Sequence, residues 1–186
     1  MYKFAPASEI ETIIFGAAKP GYGIEDIDRW IKFMQCQNIK SVCCLLSQSQ
    51  LRKYHANLLE VYQHKFGFDR VCWAPIEDFQ LADREILTQK ILPFLSTSNQ
   101  SNNRVVVHCS GGIGRTGHIL AAWLVAERGL SNQAAISAVR KTGRNPYESA
   151  IFAPLIGRNP WKVITELNIL LNNCRSTLST STGWQK

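Results

Sequence analysis

The sequence predicts an α/β fold: a single domain with a mostly parallel central sheet that is flanked by helices on both faces. Short runs of β-branched and apolar residues alternate along the chain with longer segments whose apolar residues recur at helical spacing. Strands separated by helices are joined by crossovers, which favour parallel pairing and helices on both faces. The length of 186 residues suits one domain with a sizeable core.

The first half of the chain predicts strands and helices in alternation. The helical segments carry apolar side chains three and four positions apart, as a helix with one buried face requires. The second helix is expected to run without a break and to end at Gly67, a residue type that favours helix C-termini. In chain order, the predicted elements are a strand over 12–18, a helix over 24–39, a strand over 41–46, a helix over 49–67 and a strand over 69–76 that runs into a loop.

The second half predicts helices around one buried strand. Residues 104–108 have the β-branched composition of a strand that is buried on both faces. The helix over 116–129 is almost wholly apolar, so we expect it at the centre of the domain. Pro93 is expected to kink or shorten the helix over 81–98, because proline lacks the N–H that a helix interior needs. The other predicted helices are 131–143, with Ser131 as N-cap and Gly143 at its end, a short piece after residue 149, and 159–173.

The composition predicts a cytoplasmic protein that consists of one domain and a short tail. No segment approaches the roughly 20 apolar residues of a membrane span, and the first residues lack the basic head and apolar run of a signal peptide. The domain is expected to cover residues 1–174, and a flexible, low-complexity tail residues 175–186. The six cysteines have no metal-ligand spacing, so we expect free thiols, no metal and no cofactor.

The net charge of +7 narrows the classes of partner. Lysine and arginine are scattered, with no run of four or more and without the basic-aromatic motif of RNA-binding modules. We therefore expect no stable complex with nucleic acid, no membrane association, and a monomer whose basic surface attracts a phosphorylated partner.

Residues 105–117, VVVHCSGGIGRTG, predict a strand, a glycine-rich loop and the start of a helix. Glycines let successive backbone N–H groups turn inward, and the helix adds its own unsatisfied N–H groups and the positive end of its dipole. A tetrahedral phosphate fits such a loop. No lysine follows the glycines, which distinguishes the segment from a nucleotide-binding P-loop. The residues expected to bind phosphate are Ser110, Gly111, Gly112, Ile113, Gly114 and Arg115.

Cys109 lies at the floor of this loop and is the expected nucleophile. The N–H groups and the helix dipole favour its thiolate, which can attack phosphorus. Arg115 supplies a planar, permanently charged fork that can hold two phosphate oxygens. Thr116 is expected to offer its hydroxyl to the leaving sulfur, and His108 to point away from the pocket and order the loop through hydrogen bonds.

These residues resemble the signature H-C-x5-R-[ST]-G of the cysteine-dependent protein tyrosine and dual-specificity phosphatases. A cysteine and an arginine at this spacing are weak evidence alone, but the full string between a β-branched strand and an apolar helix is specific. The resemblance covers about residues 10–155. It implies a dual-specificity-phosphatase-like fold and a protein phosphatase that forms a cysteinyl phosphate.

A general acid is expected in the segment APIEDFQLA, residues 74–82, which resembles the family's acid loop, xPxxDxxxP. The resemblance puts Asp78 at the acid position, where it protonates the leaving oxygen and later activates water. Glu77 and Asp83 remain alternatives, although Asp83 lies where a helix begins and Glu77 would face the other way. The loop lacks the second proline of the pattern, since Leu81 and Ala82 stand there, which leaves its closure open.

A basic segment downstream, AVRKTGRNPYES, resembles the basic helix end that dual-specificity phosphatases carry near the pocket. Its matching residues are Arg140, Arg144 and Asn145. Asn145 or Glu148 is a candidate for positioning the hydrolytic water. The alternative is a helix C-terminus whose basic residues suit the helix dipole.

Several features of the sequence limit the class of substrate. The chain lacks the K-N-R-Y-like string that deepens the pocket of tyrosine-specific phosphatases, so a shallower pocket should also admit phosphoserine and phosphothreonine. The neutral loop S-G-G-I-G argues against a phosphoinositide phosphatase. An RNA 5′-triphosphatase with the same signature is the alternative enzyme, and a non-catalytic phosphate-binding module is the alternative from another class. Cys43, Cys44 or Cys72 is a candidate resolving partner should Cys109 be oxidised.

Overall fold

A computed structural model of the protein describes residues 2–176. These residues form an α/β domain with a five-stranded sheet of order β1-β2-β5-β3-β4. Neighbouring strands are parallel except β1, which pairs with β2 in antiparallel orientation. The predicted fold class is therefore confirmed. The strands are β1 (Ala5–Pro6), β2 (Ile14–Ala18), β3 (Ile39–Cys44), β4 (Val71–Trp73) and β5 (Arg104–Cys109).

Helices cover both faces of the sheet, and each face has its own core. One core contains residues of the first and third helices, and the larger core contains residues of the fourth, fifth, sixth and eighth. The helices are α1 (Ile24–Cys36), α2 (Gln48–Leu51), α3 (Leu58–Phe66), α4 (Leu92–Gln100), α5 (Gly114–Arg128), α6 (Asn132–Lys141), α7 (Glu148–Phe152) and α8 (Pro160–Ser176).

Strand β5 lies between β2 and β3 and contributes side chains to both cores. Successive side chains of a strand point to opposite faces, so Val107 and Cys109 join the larger core while Val106 joins the other. The carboxyl end of β5 is thus at the middle of the sheet edge where parallel strands end. In open α/β sheets, ligands bind at this edge.

Helix α5 is buried from Gly114 to Val125 and is anchored at its far end by Glu11. The Glu11 carboxylate accepts hydrogen bonds from Trp123 Nε1 at 3.1 Å and from Arg128 Nε at 3.0 Å. It also accepts one from the Ile13 N–H at 3.0 Å. Burial alone would raise the pKa of Glu11, but its hydrogen bonds, above all with Arg128, hold that pKa below its ordinary value.

The single helix predicted over residues 49–67 is wrong, because α2 ends at Leu51 and α3 begins at Leu58. The Asn57 side chain accepts a hydrogen bond from the Glu60 N–H at 3.4 Å and so caps the start of α3. Tyr54, between the two helices, is buried because its hydroxyl reaches the Pro20 carbonyl at 3.2 Å. The break leaves α2 as a separate short helix directly after β3.

Pro93 does not end the helix in which it lies. Residues Ile86–Ile91 form a wide π-helical turn, and α4 follows it directly. The backbone hydrogen bonds change from the π to the α pattern at this point, which puts Pro93 in the first turn of α4. The N–H groups of a first turn have no partner within the helix, so the proline costs no hydrogen bond there.

Both ends of the described chain differ slightly from the prediction. Strand β1 was not predicted, and its two residues are too few to show any periodicity. Helix α8 continues to Ser176, past the predicted start of the tail at residue 175. The rest of the predicted tail, residues 177–186, lies outside the described residues. None of the helices formed by residues 2–176 has the length and hydropathy to span a bilayer.

Candidate active site

Residues 110–113, here called the glycine loop, join the end of β5 to the start of α5. The loop folds back over Cys109, so that the Gly112 N–H donates to Cys109 Sγ at 3.3 Å. Gly112 has a φ of +68°, and a Cβ there would lie 2.6 Å from the backbone of Ala17 and Ala18. Only glycine fits this position, on both conformational and steric grounds.

The end of β2 supports the glycine loop from inside the domain. The Lys19 N–H donates to the carbonyl oxygens of Cys109 at 3.0 Å and Ser110 at 3.3 Å. Cys109 is only 2% exposed, whereas Gly111 is exposed. The loop therefore combines a buried sulfur at its floor with an accessible rim.

Arg115, in the first turn of α5, points to the acid loop, defined as residues 75–82. Its Nη1 donates to the Ile76 carbonyl at 2.8 Å and to Gln50 Oε1 at 2.8 Å. Its Nη2 forms an ion pair with Asp78 Oδ1 at 2.5 Å. Arg115 is 3% exposed and Asp78 about half exposed, with 51% of its side chain accessible. The structure thus brings the predicted phosphate-binding cation and the predicted acid into contact.

Gln50 also belongs to this group of contacting side chains, although it is not among the site residues that the sequence predicts. Its Nε2 donates to Asp78 Oδ2 at 2.9 Å, so its amide bridges the acid and Arg115. Gln50 lies in α2, directly after β3, where its side chain also accepts from the Ser47 N–H. Polar residues that follow a parallel strand at this sheet edge are a usable signal, but the predicted helix over 49–67 obscured it.

The acid loop is held at several points around Asp78. The Ile76 N–H donates to the Leu45 carbonyl at 3.2 Å, and Ser149 Oγ donates to the Gln80 carbonyl at 3.3 Å. Phe79 has a left-handed backbone with a φ of +60°, a conformation that costs free energy in residues other than glycine. Its ring packs on Phe152, with 4.5 Å between the ring centroids.

The side chains of the two alternative acids, Glu77 and Asp83, have surroundings different from those of Asp78. Asp83 Oδ1 accepts hydrogen bonds from the Glu85 and Ile86 N–H groups at 2.8 and 3.2 Å, as a residue at the start of a helix does. Glu77 and Asp83 both line a cleft of about 740 Å³ beside α8. Of the three candidates, Asp78 is the one in contact with Arg115.

Thr116 follows Arg115 in α5 and is fully buried. Its Oγ1 has no hydrogen-bond partner among residues 2–176. A buried hydroxyl is rarely left unpaired, so the Thr116 hydroxyl is available to a further partner, and its role as donor to the leaving sulfur stays a prediction.

His108 is fully buried on the face of β5 opposite to Cys109. Neither ring nitrogen makes a hydrogen bond of regular geometry in the described part of the chain, although the Cys109 backbone is near enough to raise the pKa of the ring, so the expectation that His108 orders the loop through hydrogen bonds stays a prediction. The ring packs on Trp30 and Tyr62, at centroid distances of 5.2 and 5.7 Å. Burial lowers the pKa of His108 to about 3, so the ring is neutral.

Of the two candidates for positioning water, Glu148 lies against Gly114, the first residue of α5. A side chain at Gly114 would collide with the Glu148 carboxylate, and burial raises the pKa of Glu148. Asn145 Oδ1 accepts from the Tyr147 N–H at 3.2 Å and so stabilises the turn into α7. Arg144 is buried, with Nη2 on the Gly16 carbonyl at 2.5 Å, and burial lowers its pKa to about 10.

The cysteines proposed as resolving partners lie on two faces of the sheet. Cys43 and Cys72 are paired in register on β3 and β4 and share the larger core with Cys109. Cys44 packs in the other core, and burial raises the pKa of its thiol to about 12. Within residues 2–176, no group of three or more His, Cys, Asp or Glu side chains is arranged to hold a metal ion.

The site therefore contains three chemical groups. They are the Cys109 thiol, which accepts a hydrogen bond from a loop N–H, the Arg115 guanidinium and the Asp78 carboxylate. A family model described as "Polymorphic toxin system, DSP-PTPase phosphatase" matches residues 15–129, from β2 through the end of α5. The chain belongs to this family. The matched range contains the glycine loop, the acid loop and Gln50.

Two curated relatives match part of this DSP-PTPase family member. A protein of Invertebrate iridescent virus 6, named as tyrosine phosphatase 123R, is 29% identical over 80 residues, which are 43% of this chain and 56% of the viral protein. The tyrosine-protein phosphatase cdc-14 of Caenorhabditis elegans is 37% identical over 67 residues, which are 36% of this chain. The chain thus spans about half of the viral relative and 9% of the nematode one.

Solved structures share the fold of this family member at lower identity. The crystal structure of Tk-PTP in its active form has a TM-score of 0.64 at 23% identity and covers 88% of this chain and 97% of that one. Kinase-associated phosphatase has a TM-score of 0.62 at 22% identity, covering 78% of this chain and 88% of that one. These similarities support the arrangement of sheet and helices described above.

Proposed function

We propose that this protein hydrolyses phosphotyrosine, and also phosphoserine and phosphothreonine, in proteins through a cysteinyl-phosphate intermediate. The observation that carries the proposal is the 2.5 Å ion pair between Arg115 and Asp78 beside the glycine loop. It joins the cation that follows the Cys109 loop to a carboxylate from a distant segment. The family membership and the curated relatives, both named for phosphatases, support the same activity.

In the first step, the Cys109 thiolate attacks phosphorus, and the bond between phosphorus and the substrate's oxygen breaks. The loop N–H groups and Arg115 stabilise the charge on the equatorial phosphate oxygens. Asp78, in its protonated form, gives its proton to the departing oxygen. Because Arg115 is bonded to Asp78 before substrate binds, the arriving phosphate competes with that carboxylate for the guanidinium.

In the second step, water attacks the phosphorus of the cysteinyl phosphate and the sulfur–phosphorus bond breaks. Asp78 accepts the proton of the water, and phosphate leaves. The unpaired hydroxyl of Thr116 supports a role as donor to the leaving sulfur. Glu148 is the better placed candidate for orienting the water, because its carboxylate lies against Gly114 at the rim of the site.

We further propose that the protein acts as a monomer in the cytoplasm, without membrane or stable nucleic-acid partners. The cysteines of the described chain, Cys36, Cys43, Cys44, Cys72, Cys109 and Cys174, are all free thiols. Unpaired thiols are typical of reducing compartments. The substrate is then a phosphorylated cytoplasmic protein.

The test is phosphate release, with a chelator present, from peptides of one sequence carrying phosphotyrosine or phosphothreonine. A phosphoinositide and a 5′-triphosphorylated RNA complete the substrate set. Cys109→Ser is the blank, and Cys36→Ser, which alters an exposed thiol outside the site, is the matched control.

Release from the peptides by the wild type and Cys36→Ser, but not by Cys109→Ser, is the expected result. The ratio of the phosphotyrosine rate to the phosphothreonine rate then reports how deep the pocket is. Release from RNA or lipid alone would replace protein with that substrate class. No release from any substrate, with phosphate still bound, would overturn the enzyme assignment in favour of a binding module.

A further inference from the structure

His118 is a fully buried histidine in α5, and no step of the proposed reaction uses it. Its Nε2 lies 3.0 Å from the Ala82 N–H, and its Nδ1 lies 3.3 Å from the Gly114 carbonyl. A backbone N–H can only donate and a carbonyl can only accept. Nε2 is therefore the acceptor and Nδ1 carries the proton, which fixes one neutral tautomer.

The neutral state of His118 is stable across the ordinary pH range. Burial, with a contribution from the nearby Arg115, lowers the pKa of His118 to about 4. Near neutral pH the ring therefore keeps the lone pair on Nε2 that accepts from Ala82.

The imidazole connects the end of the acid loop to the first turn of α5, which follows the glycine loop. Gly114, which directly follows the glycine loop, lies next to Arg115 at the start of α5. Ala82 is the last residue of the acid loop, shortly after Asp78, and is 6% exposed. The position of Asp78 relative to Cys109 therefore depends on how firmly Ala82 is held to α5.

The other attachments of the acid loop bind its start and its middle. Ile76 is fixed before Asp78 through Leu45 and Arg115. After Asp78, Gln80 accepts from Arg158 on its side chain at 2.8 Å and from Ser149 on its carbonyl at 3.3 Å. The end of the loop at Ala82 is bound to α5 by the 3.0 Å bond to the buried imidazole of His118.

Ala82 also stands where the acid-loop pattern xPxxDxxxP has its second proline. Proline restricts its own backbone but has no N–H to donate. Alanine gives up that restriction and gains a donor, and His118 supplies the matching acceptor in the helix opposite.

We propose that His118 is a positioning residue for the general acid, acting through its hydrogen bond to the Ala82 N–H. The bond holds the end of the acid loop against α5 and keeps Asp78 within reach of the leaving group. This inference rests on the proposed function, because it concerns the step in which Asp78 transfers its proton.

The test uses two substrates that differ only in their need for a general acid: phenyl phosphate, with a poor leaving group, and 2,4-dinitrophenyl phosphate, with a good one. His118→Leu removes the acceptor, while His118→Gln keeps an amide oxygen for Ala82 and an amide N–H for Gly114. A general acid contributes about 100- to 10,000-fold, so partial misplacement should lower kcat for phenyl phosphate by about 10-fold. With 2,4-dinitrophenyl phosphate, the burst of dinitrophenolate reports the first step, in which this leaving group needs no proton, and the burst rate should stay within about 2-fold. His118→Gln should recover most of the loss with phenyl phosphate.

A double-mutant cycle separates positioning from general damage. In an Asp78→Asn background the acid is already absent, so His118→Leu should cause no further loss with phenyl phosphate. Equal losses with both substrates, or a full 10-fold further loss in the Asp78→Asn background, would overturn the inference.

A second variant covers the case in which His118→Leu does not fold. His118→Phe keeps a buried ring of similar shape without the acceptor, and it should shift the leaving-group dependence in the same direction. An unchanged dependence in folded His118→Phe would contradict the role of this bond. Failure of the proposed function is distinguishable, because the wild type would then hydrolyse neither aryl phosphate.

Discussion

The glycine loop and the acid loop face the same site but are held in different ways. The glycine loop is fixed by backbone groups: the Lys19 N–H bonds its carbonyls, and Gly112 packs directly on β2. The acid loop is fixed largely by side chains, with Arg115 on Ile76 and His118 on Ala82. Asp78 itself is about half exposed.

The difference matches what each loop has to do. Groups that stabilise transition-state charge work best when they are preorganised and need not move during the reaction. An acid loop must admit the substrate and release the product, so its attachments have to be reversible. Side-chain contacts around an exposed carboxylate can break and re-form, whereas a glycine packed on backbone cannot shift.

The largest expected effect is loss of the nucleophile in the rigid loop. Cys109→Ser should lower turnover of phosphotyrosine by about four orders of magnitude, because a hydroxyl at this position is a far weaker nucleophile than a thiolate. Phosphate binding, measured by calorimetry, should be retained since the loop N–H groups are unchanged. Turnover by Cys109→Ser close to that of the Cys36→Ser control would contradict the cysteinyl-phosphate mechanism.

Arg115→Lys tests the charge that joins both loops. Lysine cannot reproduce the planar fork that reaches Ile76, Gln50 and Asp78. We expect kcat/KM to fall by about 100- to 1,000-fold, as for loss of one transition-state donor. Arg70→Lys, an exposed change directly before β4, is the matched control. Similar rates for the two variants would remove Arg115 from the site.

Asp78→Asn tests the chemistry that the acid loop supplies. With phenyl phosphate, we expect kcat to fall by about 100-fold, because the amide cannot protonate the leaving oxygen. With 2,4-dinitrophenyl phosphate, the first step should be nearly unchanged, as a burst of nitrophenolate would report. Asp83→Asn and Glu77→Gln are the matched controls. A larger loss in either control would reassign the acid.

Gln50→Ala should have a smaller effect, since its amide bridges two groups that also contact each other. A hydrogen bond to a charged partner is worth about 1.5–3 kcal/mol, which corresponds to about 10- to 150-fold. Because Arg115 and Asp78 keep their own contact, we expect kcat/KM to fall by about 10-fold, at the low end of this range. The control is Gln48→Ala, an exposed change in the same short helix. A loss equal to that of Asp78→Asn would show that Gln50 acts in the proton transfer itself.

The smallest effect concerns the two buried histidines beside the loops. Their folded pKa values are about 3 for His108 and about 4 for His118, whereas an unfolded histidine has a pKa of about 6.5. Between about pH 6.5 and 4 the unfolded chain binds more protons, so the free energy of unfolding falls as pH falls. Urea unfolding at pH 7 and pH 5 measures this. The slope should be shallower in His118→Gln, and identical slopes would contradict the buried neutral ring.

The sequence predicts the site residues that lie in one continuous segment. It does not predict the residues whose partners lie far away in the sequence. The strand, the glycine loop and the start of α5 are contiguous, so Cys109 and Arg115 follow from one stretch of residues. Asp78 was placed by resemblance, and the structure brings it to Arg115. Gln50 and His118 carry no such local signal, because their partners lie in segments far apart in sequence.

The helix errors have a similar cause. Apolar spacing alone predicted one helix over 49–67, but the burial of Tyr54 comes from a turn that meets Pro20. The expected break at Pro93 assumes a regular α-helix, whereas the π-helical turn puts the proline in the first turn of α4. Apolar spacing reports neither the contact of Tyr54 with Pro20 nor a change of helix type.

The anchoring of α5 by Glu11 also bears on how fast its amide hydrogens exchange with solvent. Helix ends usually fray, which exposes N–H groups without unfolding the rest of the molecule. Here the far end of α5 is bound to the turn before β2 through Trp123 and Arg128. The amides in the second half of α5 should therefore exchange in deuterium oxide only when the whole domain opens. In Glu11→Gln they should exchange through a local opening, well ahead of the amides of β5.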